Sequence, residues 1–441
     1  MMHVFHNQIA EALGDKMTPL MVATETGTAE LPSCFDVSDL ALASVSAAAR
    51  EVAELLGASS VTVDRKRTLL WFGMTLRPIG WNLPDLWDSI AGDYAAKDGW
   101  IKLHTNAPHH RKSALVVLGC KGSRDAVAEA VGDWGKSDLE AAVVGADGCA
   151  AAMHSLGEWA EHPQGRAIAS EPLISWRDTG ATAKSVSLAG LRVLDLTRVL
   201  AGPVATRFLA GYGANVLRID PPDWNEPGVE PEVTLGKRCA GLDLKKADDR
   251  KIFEALLQQA DVLVHGYRPG ALDGLGYGES RLRQLSPALI EVSLCAYGYG
   301  GPWAGRRGFD SLVQMSSGIA AEGMRQFGKD QPMPLPVQAL DHATGYLMAA
   351  AVLRALRIRQ KTGRIMMAQL SLARTAALLT STGVKQHAAE MPKEATSDFS
   401  TEIEKTGWGK ARRISFPVDV AGHPVNWSFP SGPLRQTYPK W

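Results

Sequence analysis

The 441-residue sequence has no surplus of either charge: Lys and Arg number 47, and Asp and Glu also number 47. That balance removes the main sequence sign of a nucleic-acid binder, an excess of basic side chains on one face. With 45% hydrophobic and 21% charged residues, a disordered chain is excluded too. No run of about 18 apolar residues occurs, so no spanning helix is expected. Residues 1–20 lack the uninterrupted apolar core of a signal peptide. Cysteine is scarce and scattered: Cys34, Cys120, Cys149, Cys239 and Cys295, with no C-x-x-C pair. An odd, widely spaced set reads as reduced thiols, neither a disulfide framework nor a zinc site. A cytoplasmic protein that binds neither nucleic acid nor membrane is the expectation. Two phosphate-binding signatures are also missing. No G-x-G-x-x-G joins the first strand and helix of the sheet pattern described below, and no G-x-x-x-x-G-K-[ST] occurs anywhere. There is no short tandem repeat.

At roughly 150 residues per domain, the length allows two or three domains. Residues 1–185 read as a smaller α+β domain. Within it, 41–56 (ALASVSAAAREVAELL) has helical periodicity, and 99–103 and 115–118 are strand-like. Short helices are expected at 125–131, 137–144 and 148–155. The polar stretch 177–185 (RDTGATAKS) has no apolar periodicity and reads as a linker. From residue 186 to 441 the pattern changes to alternating short apolar strands and helices. This predicts an α/β domain built on a doubly wound, mostly parallel, Rossmann-like sheet. Strands are expected near 191–196, 214–219, 260–264 and 289–295, and a long helix at about 342–360. The tail, 397–441, is rich in Pro, Trp and Phe and is expected to pack back as strands and loops.

A doubly wound sheet binds its ligand beyond the carboxyl ends of its strands. The first such end is Asp195-Leu196-Thr197-Arg198, and the helix opening near Gly202-Pro203 offers free amides to an anion. Gly298, Gly300 and Gly301 form a glycine-rich turn after a strand. Asp341, standing before the long helix, reads on residue type alone as an N-cap. His342 reads as a surface or cap histidine. His104, His109 and His110 read as a polar loop, because no acidic or cysteine partner lies at ligand spacing. Lys237-Arg238 fits a phosphate grip and a solvated face equally well. These residues lead to an α/β enzyme of unspecified activity.

Five ordered blocks between residues 188 and about 379 carry a resemblance. They are LAGLRVLDLTRVLAGPVATRFLAGYGANVLRID, GKRCAGLDLKK, ADVLVHGYRPGALDGLGYG, SLCAYGYGGPWAGRRGFDSLVQMSSGI and VQALDHATGYLMAAAVLRALRIRQKTGR. In this order they resemble the class III CoA-transferases. That family includes formyl-CoA transferase, the carnitine CoA-transferases (L-carnitine dehydratase/bile acid-inducible protein F) and α-methylacyl-CoA racemase. Residues 95–175 (KDGWIKLHTN and GADGCAAAMHSLGEWAEHPQGRAI) resemble the family's smaller domain. That domain normally follows the first half of the large domain; here it precedes it, so the segment order is rearranged.

The resemblance implies a CoA-transferase moving CoA from an acyl-CoA donor to a carboxylic acid acceptor. Its nucleophile falls on Asp341, acting through an aspartyl anhydride and an aspartyl-CoA thioester. Enclosure would desolvate this carboxylate, and helix amides would keep it ionised at neutral pH. The YGYGG glycines are the expected oxyanion donors. CoA contacts fall on Arg198, Val199, Leu200 and Ala201, on Lys237 and Arg238, on Tyr267 and Arg268, and on Arg307. No permanently bound cofactor or metal is implied; CoA and acyl-CoA are substrates. Known members form interlocked homodimers, so a homodimer is expected. Three departures stand out. Pro221 and Gly274 replace basic residues that contact CoA in relatives, and the racemase motif G-H-D is Gly308-Phe309-Asp310 here. Phe309 cannot exchange a proton, which disfavours a racemase or epimerase. A non-catalytic CoA-binding member is the remaining alternative.

Overall fold

The structure, a computed structural model, describes residues 2–14, 21–385 and 389–441. Met1 and residues 15–20, part of the N-terminal stretch read above, lie outside them.

Six short segments pair in parallel in the order Lys237–Gly241, Asn215–Asp220, Arg192–Leu196, Val262–His265, Ile290–Cys295 and Arg364–Ser371. Numbered along the chain this is 3-2-1-4-5-6, the order of a doubly wound sheet. The strands read as near-continuous apolar runs because both sheet faces are covered. Val193 and Val262 face one core, and Leu194 and Leu263 face another. The order reverses between Arg192–Leu196 and Val262–His265, which opens a crevice at their carboxyl ends. A seventh strand, Ser175–Thr182, joins the edge antiparallel to Arg364–Ser371. It occupies most of the stretch expected to be a linker. An edge strand has one solvated side, so its polar sequence gave no apolar signal.

The Ala339–Thr362 helix packs on this sheet with the Val37–Leu56 helix against it. It is therefore buried on nearly every side, from Ala339 to Ala355, and shows no single apolar stripe. Gly345 lets the Ala201–Gly211 helix approach closely: a Cβ there would sit 2.4 Å from the Ala201 carbonyl oxygen. Arg357 ties the two long helices together through Glu51 at 2.7 Å and Glu54 at 3.2 Å. Residues from Phe5 to Val63 share one hydrophobic core with the sheet.

A separate core forms under the antiparallel strands Gly92–Ala96, Gly99–Leu103 and Ala150–Ala152. Two local readings differ here. Residues 115–118 are the last turn of the Pro108–Leu118 helix, which Pro108 opens and Gly119 closes at φ 63°. Residues 148–155 contain a strand rather than a helix, because Ala150–Ala152 pairs with Gly99–Leu103. Short apolar runs do not by themselves distinguish the two states. This small unit docks on the large one where Cys149 and Ala151 meet Leu312 and Met315. The tail returns as expected: Val418–Val420 pairs antiparallel with Val61–Asp64. Among the described residues no helix is long and apolar enough to cross a membrane.

Candidate active site

A cavity of about 410 Å³ opens at the carboxyl ends of the central strands. Leu196, Tyr267 and Cys295 enter it from strand ends, Asp341 from the start of the long helix, and His109 and His110 from the small unit. Such a location follows from the topology, since the strand order reverses there.

Asp341 is buried, with 8% of its surface exposed. The helix begins at Ala339 and its N-cap is Gln338, so Asp341 is the third helical residue rather than the cap. Its own N–H donates to Asp310 Oδ2 at 2.9 Å. Asp310 also accepts from the Gln314 side chain, and Gln314 in turn accepts the Leu335 N–H at 2.7 Å. Two buried carboxyls thus stand together. Burial, followed by the charge of Asp310, pushes the Asp341 carboxyl well above its ordinary range. Burial raises Asp310 to about 6, opposed by the amides of Asp341 and Leu340 and by Gln314. Asp310 has donors for its charge and Asp341 has none among the described hydrogen bonds, so of the two Asp341 holds a proton the more readily. This corrects the expectation that helix amides hold Asp341 ionised: those amides are spent on Asp310.

The pair makes stability depend on pH. A carboxyl whose folded pKa is raised above its unfolded value, about 4, stabilises the fold below that value. The contribution is lost as pH rises through the folded value, here about 6 and above. Asp341→Asn removes the titration. It is expected to raise the melting temperature by a few degrees at about pH 7.5 and by little at about pH 4. Melting curves across this range check it; an equal shift at both ends would contradict a buried proton.

Four guanidinium groups face the same cavity: Arg198, Arg268, Arg306 and Arg307. Arg306 pairs with Glu140 at 2.7 Å, and Arg307 with Asp147 at 2.6 Å. Arg198 lies over Trp224 at 4.8 Å and Tyr267 at 5.4 Å. Arg268 bonds only the Gly305 carbonyl, at 3.1 Å. Among the described residues neither Arg198 nor Arg268 has a carboxylate within ion-pair distance, so both are free to meet an anion. Val199 lies beside them at φ 63°, a strained conformation for a β-branched residue. Its N–H is held by Glu226 Oε2 at 2.8 Å.

The structure therefore brings together Arg198, Val199, Ala201, Tyr267, Arg268, Arg307 and Asp341. Leu200 is the buried N-cap of the Ala201–Gly211 helix and does not line the cavity. Lys237 is also elsewhere: its ammonium is fully buried, donating to Asp195 Oδ2 and the Pro203 carbonyl, each at 3.0 Å. Arg238 reaches Asn215 Oδ1 at 2.9 Å and the Lys440 carbonyl at 2.7 Å, outside the cavity. Gly298, Gly300 and Gly301, expected as oxyanion donors, do not line the cavity. A Cβ at Gly298 would strike Glu171, and one at Gly301 would strike Gln164, so the turn docks the Pro163–Ser170 helix. Pro221 lines the cavity and Gly274 does not.

Several site residues escaped the sequence. His104 and His110 are buried rather than part of a solvated loop, and burial lowers them to about 3 and about 4. His342 is buried against Phe72, with ring centres 4.9 Å apart. Asp310, Trp224 and Arg306 were not singled out as site residues. Only Pro108, a helix-start residue just before His109, signalled where the histidines would point.

Comparison with known proteins is consistent with this geometry. The chain is 33% identical over 224 residues to a probable fatty acyl-CoA transferase of Mycobacterium tuberculosis, covering 47% of this chain and 56% of that protein. It is 35% identical over 189 residues to the acetyl-CoA:oxalate CoA-transferase of Acetobacter aceti, covering 40% and 48%. The orthorhombic crystal structure of the mycobacterial protein aligns with a TM-score of 0.40 at 30% identity, covering 45% of this chain and 59% of that one. The chain spans between 34% and 56% of the length of such curated relatives. Residues 188–406, just under half of the chain, match CoA-transferase family III.

Proposed function

We propose that this chain transfers CoA from an acyl-CoA to a carboxylic acid through Asp341. The observation that carries the reading is one cavity holding a buried carboxyl together with Arg198, Arg268 and Arg307. Those cations suit the phosphates of CoA, which place the thioester beside Asp341. The Asp341 carboxylate attacks the thioester carbonyl, the C–S bond breaks, and CoA leaves as a thiolate with a mixed anhydride formed. The thiolate then attacks the aspartyl carbonyl, releasing the donor acid and leaving an aspartyl-CoA thioester. An acceptor carboxylate attacks that thioester, expelling the thiolate and forming a second mixed anhydride; the thiolate then attacks the acceptor's acyl carbonyl, releasing the Asp341 carboxylate and the new acyl-CoA. No net proton is consumed. Hydroxylamine added with an acyl-CoA donor should convert Asp341 to its hydroxamate, readable by peptide mass. An unmodified Asp341 during active turnover would sink the mechanism. The expected homodimer stands as part of this proposal, and gel filtration tests it.

The nucleophile must be ionised, and the Asp310 charge opposes that. Asp310→Asn keeps an oxygen for the Asp341 N–H but removes the charge. The acid limb of the kcat/KM profile is then expected to move at least about one pH unit lower. An unmoved limb would show that the two carboxyls do not communicate.

One observation favours a second reading, proton exchange at the α carbon. His110 lines the cavity with Asp341, and its Nδ1 has no partner in this structure. Deuterium incorporation from solvent without acyl exchange would select it.

A further inference from the structure

A second cavity, of about 240 Å³, adjoins the first and shares Val199, Trp224 and Phe309 with it. Four of its lining residues are aromatic: Trp87, His104, Trp224 and Phe309. His104 stacks on Phe309 with ring centres 3.7 Å apart and planes 5° from parallel. Trp87 meets His104 edge-on at 5.7 Å. Burial lowers His104 to about 3, so this wall is uncharged at neutral pH. Asp85, Asp88 and Glu226 also line it, and no Lys or Arg does among the described residues. Asp88 is paired with Arg111 at 3.1 Å, and Glu226 with Arg218. The charges of Asp88 and Glu226 are met by these partners. The lining residues leave nothing to neutralise a carboxylate entering here.

The two cavities thus differ in sign. The guanidinium-lined one suits phosphates; the aromatic one repels an anion. Phe309 separates them, one residue from the Asp310 carboxylate that holds the Asp341 amide. Because the cavities share Val199, Trp224 and Phe309, an acyl group entering from the first would pass these residues to reach the second. A volume of about 150 Å³ already accommodates a benzene-sized guest.

We propose that this second cavity receives the uncharged aromatic tail of the acyl group, with Trp87 and Phe309 as its specificity-determining walls. The inference rests on the reading of the first cavity as the CoA site. It excludes dicarboxylic acyl groups, whose far carboxylate would meet Asp85, Asp88 and Glu226.

Titration calorimetry on the full chain tests both levels with non-transferable thioethers. Free CoA is compared with S-phenethyl-CoA, S-carboxyethyl-CoA and S-(trimethylammonioethyl)-CoA. The phenethyl compound is expected to bind about tenfold more tightly than CoA, and the carboxyethyl compound no more tightly. Trp87→Ala should erase the phenethyl gain and leave free CoA unchanged; Trp87→Phe should retain part of it. Trp87 is 44% exposed, so its loss spares the core. If CoA binds but phenethyl gives no gain, the tail inference fails and the CoA site stands. A tighter carboxyethyl or trimethylammonioethyl compound also overturns it, as does a phenethyl gain that Trp87→Ala leaves intact. If free CoA does not bind, the reading of the first cavity fails and this inference falls with it.

Discussion

Asp341→Ala is expected to lower CoA transfer by about a thousandfold or more while leaving CoA affinity within a factor of about two. The two halves of this result have separate physical origins. Transfer needs a carboxylate that can become covalently acylated, and Arg198, Arg268 and Arg307 cannot supply one. On the proposed reading, affinity rests on those guanidiniums and on Tyr267, which line the cavity, while Asp341 lies buried at the helix start. Steady-state rates with an acyl-CoA and an acid acceptor measure the first half, and calorimetry with CoA measures the second. Turnover within tenfold of the wild type would mean that the nucleophile is not Asp341. Loss of CoA binding along with activity would mean that the substitution had disturbed the site as a whole.

The second large effect concerns stability. Lys237→Met is expected to cost about 3–5 kcal/mol, because it leaves the Asp195 carboxylate buried without its cation. Asp195 is fully buried. Burial would push it up, but Lys237 and the hydroxyls of Thr197 and Thr206 hold it below its ordinary value. Thr206 Oγ1 donates to it at 2.5 Å, and the Thr197 N–H at 2.9 Å. The pair pins Lys237–Gly241 to the first strand's end, directly beneath the loop that carries Arg198. Adding Asp195→Asn to Lys237→Met should return much of the loss, since no uncompensated charge then remains. Urea denaturation midpoints measure both variants. An undiminished midpoint with weakened CoA binding would restore Lys237 to the phosphate grip that the sequence allowed.

Lys237 illustrates where reading the sequence stops. A basic pair next to a strand fits a phosphate and a buried carboxylate equally well, and nothing in GKRCAG distinguishes them. Only the packing, which brings Lys237 Nζ to 3.0 Å from Asp195 across 42 residues of chain, made the choice. The histidines in HTNAPHH show the same limit. Their polarity suggests a solvated loop, but docking of the small unit buries His104 against Phe309. The strand at 175–182 was invisible for a related reason: its pairing with Arg364–Ser371 is a contact between distant segments, and its own residues are polar.

What the sequence determined by itself was the architecture from residue 186 onward; the choice of Asp341 as candidate nucleophile rested on the family resemblance. Apolar runs bounded by helix-start signals specify buried parallel strands, because a strand covered on both faces must be apolar throughout. The strand alternation then puts any ligand at the carboxyl ends, where Asp195-Leu196-Thr197-Arg198 and Asp341 both lie. The tertiary structure alone decided the upward push on the Asp341 carboxyl, the company it keeps with Asp310, and the presence of a second cavity beside the guanidinium-lined one. Those properties depend on burial and on distances between side chains remote in the chain, and local sequence encodes neither.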